Sequence, residues 1–184
     1  MSNMKKYLFT GLTLGAIAMA SGLLIAGTNL ITRDSIKANE AKKINEGLAN
    51  IFKVDSKSLN SSMVDLPEGK EFDYVLSSYY EVKNDNNETL GYAFNTKGSN
   101  SYGDISLIIG FNSSYVYKGV AVVNNGQSFA STLNKKYLNP LVKEGKTINE
   151  VSVSCGATYG AKLVKAMVES ATEAAEYLKG ASNG

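Results

Sequence analysis

Hydrophobic positions along the chain fall into three regimes. From Leu8 to Ile31 they run almost without a break, and no charged residue stands between Lys6 and Arg33. A helix over this stretch is roughly 36 Å long, enough to cross a hydrocarbon core of about 30 Å with some tilt. Gly11, Gly15, Gly22 and Gly27 are compatible with that reading, because in lipid a single segment satisfies its backbone only as a helix. A cleaved signal peptide is the rival reading, since Ala18-Met19-Ala20 has the small-x-small form of a cleavage site. The apolar run continues past it to Leu30-Ile31, which favours an uncleaved anchor.

The second regime has helical period. Ile36, Ile44, Leu48, Ile51 and Phe52 form one apolar stripe, predicting a juxtamembrane helix over Ser35 to Phe52 that continues out of the membrane as a stalk. Val54 to Phe72 is polar, contains Pro67 and is expected to be linker. The third regime is β-like. Tyr74 to Val82 predicts a strand, Asn84 to Asn87 a turn, and Leu90 to Asn95 the returning partner. Thr96 to Asp104, with Gly98 and Gly103, is expected to be a flexible loop. Ile105 to Phe111 and Tyr115 to Val123 are apolar and β-prone, joined by a turn at Asn112 to Ser114.

Towards the end of the chain the period returns to helical. Ser128 to Lys143 is expected to hold one or two short helices broken at Pro140, and Val151 with Val153 a short strand. Leu163, Met167, Ala171, Ala174, Ala175 and Leu178 predict a helix from Thr158 to Leu178, with Gly180 at its C-terminal cap. The sum is an α+β protein: an N-terminal transmembrane helix, then one small domain of antiparallel sheet with packed helices. The boundaries are residues 1–33 for the cytoplasmic tip and anchor, 34–72 for the juxtamembrane helix and linker, and 73–184 for the domain.

Composition narrows the chemistry. The 184 residues include no histidine, no tryptophan and one cysteine, Cys155. Serine–histidine and cysteine–histidine catalysis are therefore excluded, as are an intrachain disulfide and a cysteine-rich metal site. No catalytic residue and no metal ligand set is assigned. A net charge of +2 gives no electrostatic case for nucleic acid. Lys5 and Lys6 argue for a cytoplasmic N-terminus, but Arg33, Lys37, Lys42 and Lys43 on the far side bring the charge rule close to a tie.

One segment carries candidate chemistry. Ser154 to Ala161 lies at the expected strand-to-helix junction, and the small residues Gly156, Ala157 and Gly160 around Thr158 leave its hydroxyl open to approach. Unpaired amides and the positive dipole end at a helix start favour a phosphate, and Lys162, one turn on, adds a cation. The plainer alternative makes Ser154 or Thr158 an N-cap and Gly156 a turn residue. Spacing alone leaves both open.

The stretch Cys155-Gly156-Ala157-Thr158 resembles the Ser/Thr-Gly-Ala-Thr signature of extracytoplasmic FMN-binding domains, with Cys155 in the place of the first hydroxyl residue and Ser152 where that pattern has an acidic one. Gly91-Tyr92-Ala93-Phe94, followed by Gly98 and Tyr102-Gly103, is similar to the glycine-rich region before that family's core strands. The resemblance implies FMN held covalently through a phosphoester to Thr158 and attached by an FAD-dependent flavin transferase. It further implies a main domain outside the cytoplasm and electron transfer among the other subunits of an Rnf-type ion-translocating complex. Cys155, Gly156, Ala157, Tyr159, Lys162, Tyr102 and Gly103 are the residues then expected around the cofactor. Two other functions stay open: a free-standing flavinylated carrier outside the cytoplasm, and an anchored binding module without flavin.

Overall fold

The computed structural model describes residues 2–67, 70–143 and 145–182. The chain divides into two units, Met1–Ala41 and Lys42–Gly184. The first helix, α1, runs from Ser2 to Phe52 without interruption. The helix expected over Ser35 to Phe52 is continuous with the apolar stretch before it. No proline or glycine stands between Thr28 and Gly47 to break it.

In the first unit α1 is long and apolar enough to cross a bilayer. Leu8, Phe9, Leu12, Ile17, Leu23, Leu24 and Ile25 all lie exposed on it, as lipid-facing side chains must. The side chains of residues 29–31, which end the expected span, lie outside the described residues. The hydroxyls of Thr10, Thr13 and Thr28 donate to the carbonyls of Lys6, Phe9 and Leu24 at 2.9, 2.8 and 2.7 Å. Each hydroxyl is thereby satisfied within the helix, which lets it sit in hydrocarbon.

In the second unit five strands form one antiparallel sheet in sequence order: β1 (Asn60–Asp65), β2 (Val75–Lys83), β3 (Thr89–Asn100), β4 (Gly103–Asn112) and β5 (Tyr117–Asn125). Two departures from expectation concern its extent. Asn60–Asp65, expected as linker, pairs with β2 from Asn60 opposite Lys83 to Asp65 opposite Ser78. It is an exposed edge strand of mostly polar residues, so its sequence carries no buried period to announce it. Residues 96–104, expected as a loop, are the far end of the β3–β4 hairpin, paired down to Asn100 opposite Gly103. Thr96 is fully buried and donates from its hydroxyl to the Leu107 carbonyl at 3.2 Å. Gly98 has a packing reason: a Cβ there would stand 2.9 Å from Leu163 Cδ1.

The sheet is covered on both faces. The last helix, α4 (Thr158–Ser182), lays Val164, Met167, Ala171, Ala174 and Leu178 in one core with Phe94, Ile105, Leu107, Ile109 and Phe111. On the other face Leu48, Ile51 and Phe52 of α1 join Val82, Ala93, Ile108, Ala121 and Val123. Strand β4 is thus buried on both sides, which is why it reads as a continuous apolar run rather than an alternating one. The expected Gly180 cap is passed, since α4 continues to Ser182.

Three short turns of helix join β5 to the last segment: α2 (Ala130–Leu133), a π-helical turn (Asn134–Leu138) and α3 (Asn139–Lys143). Pro140 does not break this run, contrary to expectation. The Asn139 amide reaches back to the Asn134 carbonyl, so the wider turn just before Pro140 accommodates the missing donor. Val151 to Ser154 forms no strand. The Cys155 amide bonds to the Val153 carbonyl at 2.9 Å and the Ser154 amide to Ser152 Oγ at 3.2 Å, local bonds that replace a ladder.

Two phenols are left without partners inside the unit. The hydroxyls of Tyr117 and Tyr137 are buried with no hydrogen-bond partner. Burial pushes both up to about 12, reinforced at Tyr117 by the Tyr137 phenol and at Tyr137 by Cys155 and Glu169. A tyrosine whose folded value exceeds its unfolded value of about 10 contributes stability below that pH and loses it as pH climbs towards 12. Thermal melts of the full chain in detergent should therefore fall between about pH 10 and 12, and the fall should be shallower in the Tyr117→Phe, Tyr137→Phe double variant. Gly98→Val should destabilise the domain by about 1–3 kcal/mol at neutral pH, through overpacking against Leu163 and Met167. An unchanged melting temperature would mean that α4 does not approach the sheet this closely.

Candidate functional site

The start of α4 is shaped by two glycines. Gly156 has φ +87°, a left-handed conformation that turns the chain from the Cys155 segment into the helix. Its space is open, with Thr132 Cγ2 at 3.5 Å and Lys136 Nζ at 3.9 Å from the point where a Cβ would stand. Gly160 is required for the opposite reason. A Cβ there would lie 2.9 Å from Leu133 Cδ2 and 3.2 Å from Gln127 Oε1. The first turn of α4 can therefore sit close against α2.

The Ala157 carbonyl accepts the Ala161 amide at 2.9 Å, which makes Ala157 the residue that opens the helix. Neither Ser154 nor Thr158 occupies that capping position. The amides of Thr158, Tyr159 and Gly160 then have no acceptor within the helix. Among the described residues the Thr158 hydroxyl makes no hydrogen bond, and its side chain is half-buried.

These residues line a cavity of about 250 Å³ with Tyr102, Gln127, Phe129 and Leu133. The aromatic wall is largely open to solvent: Tyr159 is 64% exposed, Phe129 53% and Tyr102 37%. Tyr102 and Tyr159 stack with centroids 5.3 Å apart and planes at 25°, and Phe129 tilts against Tyr102 at 5.9 Å. The Asn100 side-chain amide ties the turn after β3 to the Tyr159 carbonyl at 3.3 Å. The Ser128 amide and hydroxyl both donate to the Tyr102 carbonyl, at 2.7 and 3.1 Å. Gln127 is buried to within 5% exposure, and its Nε2 donates to the Gly103 carbonyl. With Nε2 so engaged, the acceptor Oε1 lies beside Gly160, which lines the cavity with Gln127.

Of the residues expected around the site, Thr158, Gly156, Ala157, Tyr159 and Tyr102 meet in the cavity wall. Three do not. Cys155 is buried, Lys162 is exposed on α4 and the Gly103 carbonyl accepts from Gln127, and none of the three lines the cavity. Gln127, Phe129 and Leu133 went unnoticed in the sequence, because the segment that carries them has neither clear period nor motif. Among the described residues no carboxylate, lysine or cysteine lines the cavity. Among the described residues no group of acidic, cysteine or histidine side chains is placed to hold a metal ion.

Fold and site together define an anchored α+β domain with an uncovered threonine at a helix start beside an aromatic cavity. The RnfG N-terminal region family matches residues 1–51. The chain is also 30% identical over 121 residues to the G subunit of the ion-translocating oxidoreductase complex of Haemophilus influenzae, in strains PittEE and Rd alike. Each match covers 64% of this chain and 57% of the relative, so the chain spans little more than half the length of these curated relatives. The chain is thus similar to the RnfG N-terminal region in its first residues and to these G subunits over 121 residues.

Gly156→Ala should lower the stability of the domain by about 1–2 kcal/mol, the cost of a side chain in a left-handed conformation. Circular dichroism melts of the full chain measure this. An unaffected melt would show that the turn into α4 does not hold its positive φ.

Proposed function

We propose that this chain carries FMN covalently on Thr158 and serves as an electron-transferring subunit of an Rnf-type ion-translocating complex, with its domain outside the cytoplasm. The observation that carries the reading is the unpartnered, half-buried Thr158 hydroxyl in the wall of an aromatic cavity at the first turn of α4. The names of the similar H. influenzae proteins support the complex, and α1 supports the membrane.

The residues present fit such a group. The amides of Thr158, Tyr159 and Gly160 and the positive end of α4 suit a phosphodiester. Tyr102, Tyr159 and Phe129 offer flat apolar surface for a ring system, and Gln127 Oε1 accepts from a ring N–H or a sugar hydroxyl. The cavity, at about 250 Å³, is smaller than the roughly 300 Å³ at which ligand pockets usually begin, so a flavin seated here keeps part of its ring exposed. Exposure suits a carrier, which must present its ring to donors and acceptors. Bound FMN supplies one- and two-electron transfer, chemistry that needs no histidine from the protein. A covalent bond retains the cofactor on the outer side of the membrane, where loss would be irreversible.

Thr158→Val removes the hydroxyl and keeps the shape. Co-expressed with an FAD-dependent flavin transferase, the wild-type chain should fluoresce under ultraviolet light on a denaturing gel, whereas Thr158→Val should fold and stay dark. A dark wild type beside a competent transferase would leave an anchored module without flavin as the better account.

A further inference from the structure

The expected cation of the site, Lys162, is not in it, yet another lysine stands beside it. Lys136 sits in the π-helical turn, and its Nζ stands 3.9 Å from the point where a Cβ on Gly156 would be. Among the described residues it makes no ion pair, and its side chain is exposed. One extra residue in the turn rotates the side chains that follow relative to an α-helical course. Tyr137 and Leu138 are thereby carried into the core while Lys136 is left on the side of Gly156. Gly156 itself presents no side chain between the ammonium and the cavity, so the wall is open on that side.

We infer that Lys136, rather than Lys162, is the cation that holds the phosphodiester on Thr158, positioning the cofactor without taking part in electron transfer. The inference rests on the flavin reading above. It gives the site a polarity. The anionic link lies towards Gly156 and Lys136, where a charge-assisted hydrogen bond forms, and the hydrogen-bond donors of the cofactor lie towards Gly160 and Gln127. Because Lys136 is exposed, its replacement leaves the packing of the core intact.

The test compares Lys136→Met, Lys136→Arg and Lys162→Met in the full chain, each co-expressed with limiting flavin transferase. Intact mass gives the flavinylated fraction, and ³¹P NMR of the loaded protein reports the surroundings of the linking phosphate independently of the transferase. Lys136→Met should load several-fold less and shift the ³¹P resonance of the fraction that does load. Lys136→Arg should restore both, and Lys162→Met should match the wild type. Unchanged loading and resonance in Lys136→Met, or a displaced resonance in Lys162→Met, overturns the assignment while the cofactor stands. A wild type that never loads removes the flavin itself, a distinct failure.

Discussion

The close docking of α4 on the sheet and on α2 is the constraint from which the site follows. At the sheet, Gly98 and the small residues Ala161, Ala171, Ala174 and Ala175 let the helix backbone come near. At the first turn, Gly160 lets Leu133 and Gln127 press against the helix where any Cβ would collide. Protein interiors tolerate little slack, so contacts at both ends of the helix fix where its first turn lies. Thr158 is held beside the stacked tyrosines as a consequence. The apolar end of α1 seals the opposite face, leaving the sheet rigid beneath the site.

The site built on this frame presents groups suited to holding a ligand. Its wall offers amides from a helix start, aromatic faces and one amide oxygen. A carrier of the kind proposed needs attachment, a surface for its ring and an open side. The half-exposed tyrosines and Phe129 meet those needs together.

Much of this architecture can be read from the residues alone, for identifiable reasons. The anchor is declared by an uncharged apolar run, α4 by its helical stripe, and β4 by apolar residues facing two cores. What stays hidden is carried by tertiary pairing. Strand β1 is polar because it is an edge, and the end of the β3–β4 hairpin looks like a loop because glycine there serves packing. At the site, Thr158, Gly156, Ala157 and Tyr159 are neighbours along the chain and share one motif, so sequence brings them together. Tyr102 and Gln127 arrive from the turn after β3 and the segment after β5, and Lys136 through a π turn that no sequence period announces. Lys162, chosen for its spacing of one turn, does not line the cavity.

Locating the modification on the chain tests the central claim most directly. Proteolysis of the full-length protein after co-expression with a flavin transferase, followed by tandem mass spectrometry, identifies the peptide that gains FMN less one water. The account predicts that the gain falls on the peptide containing Thr158 and resolves to that residue. A flavin mapped to any other hydroxyl, or a Thr158 peptide unmodified in protein exposed to an active transferase, would contradict it.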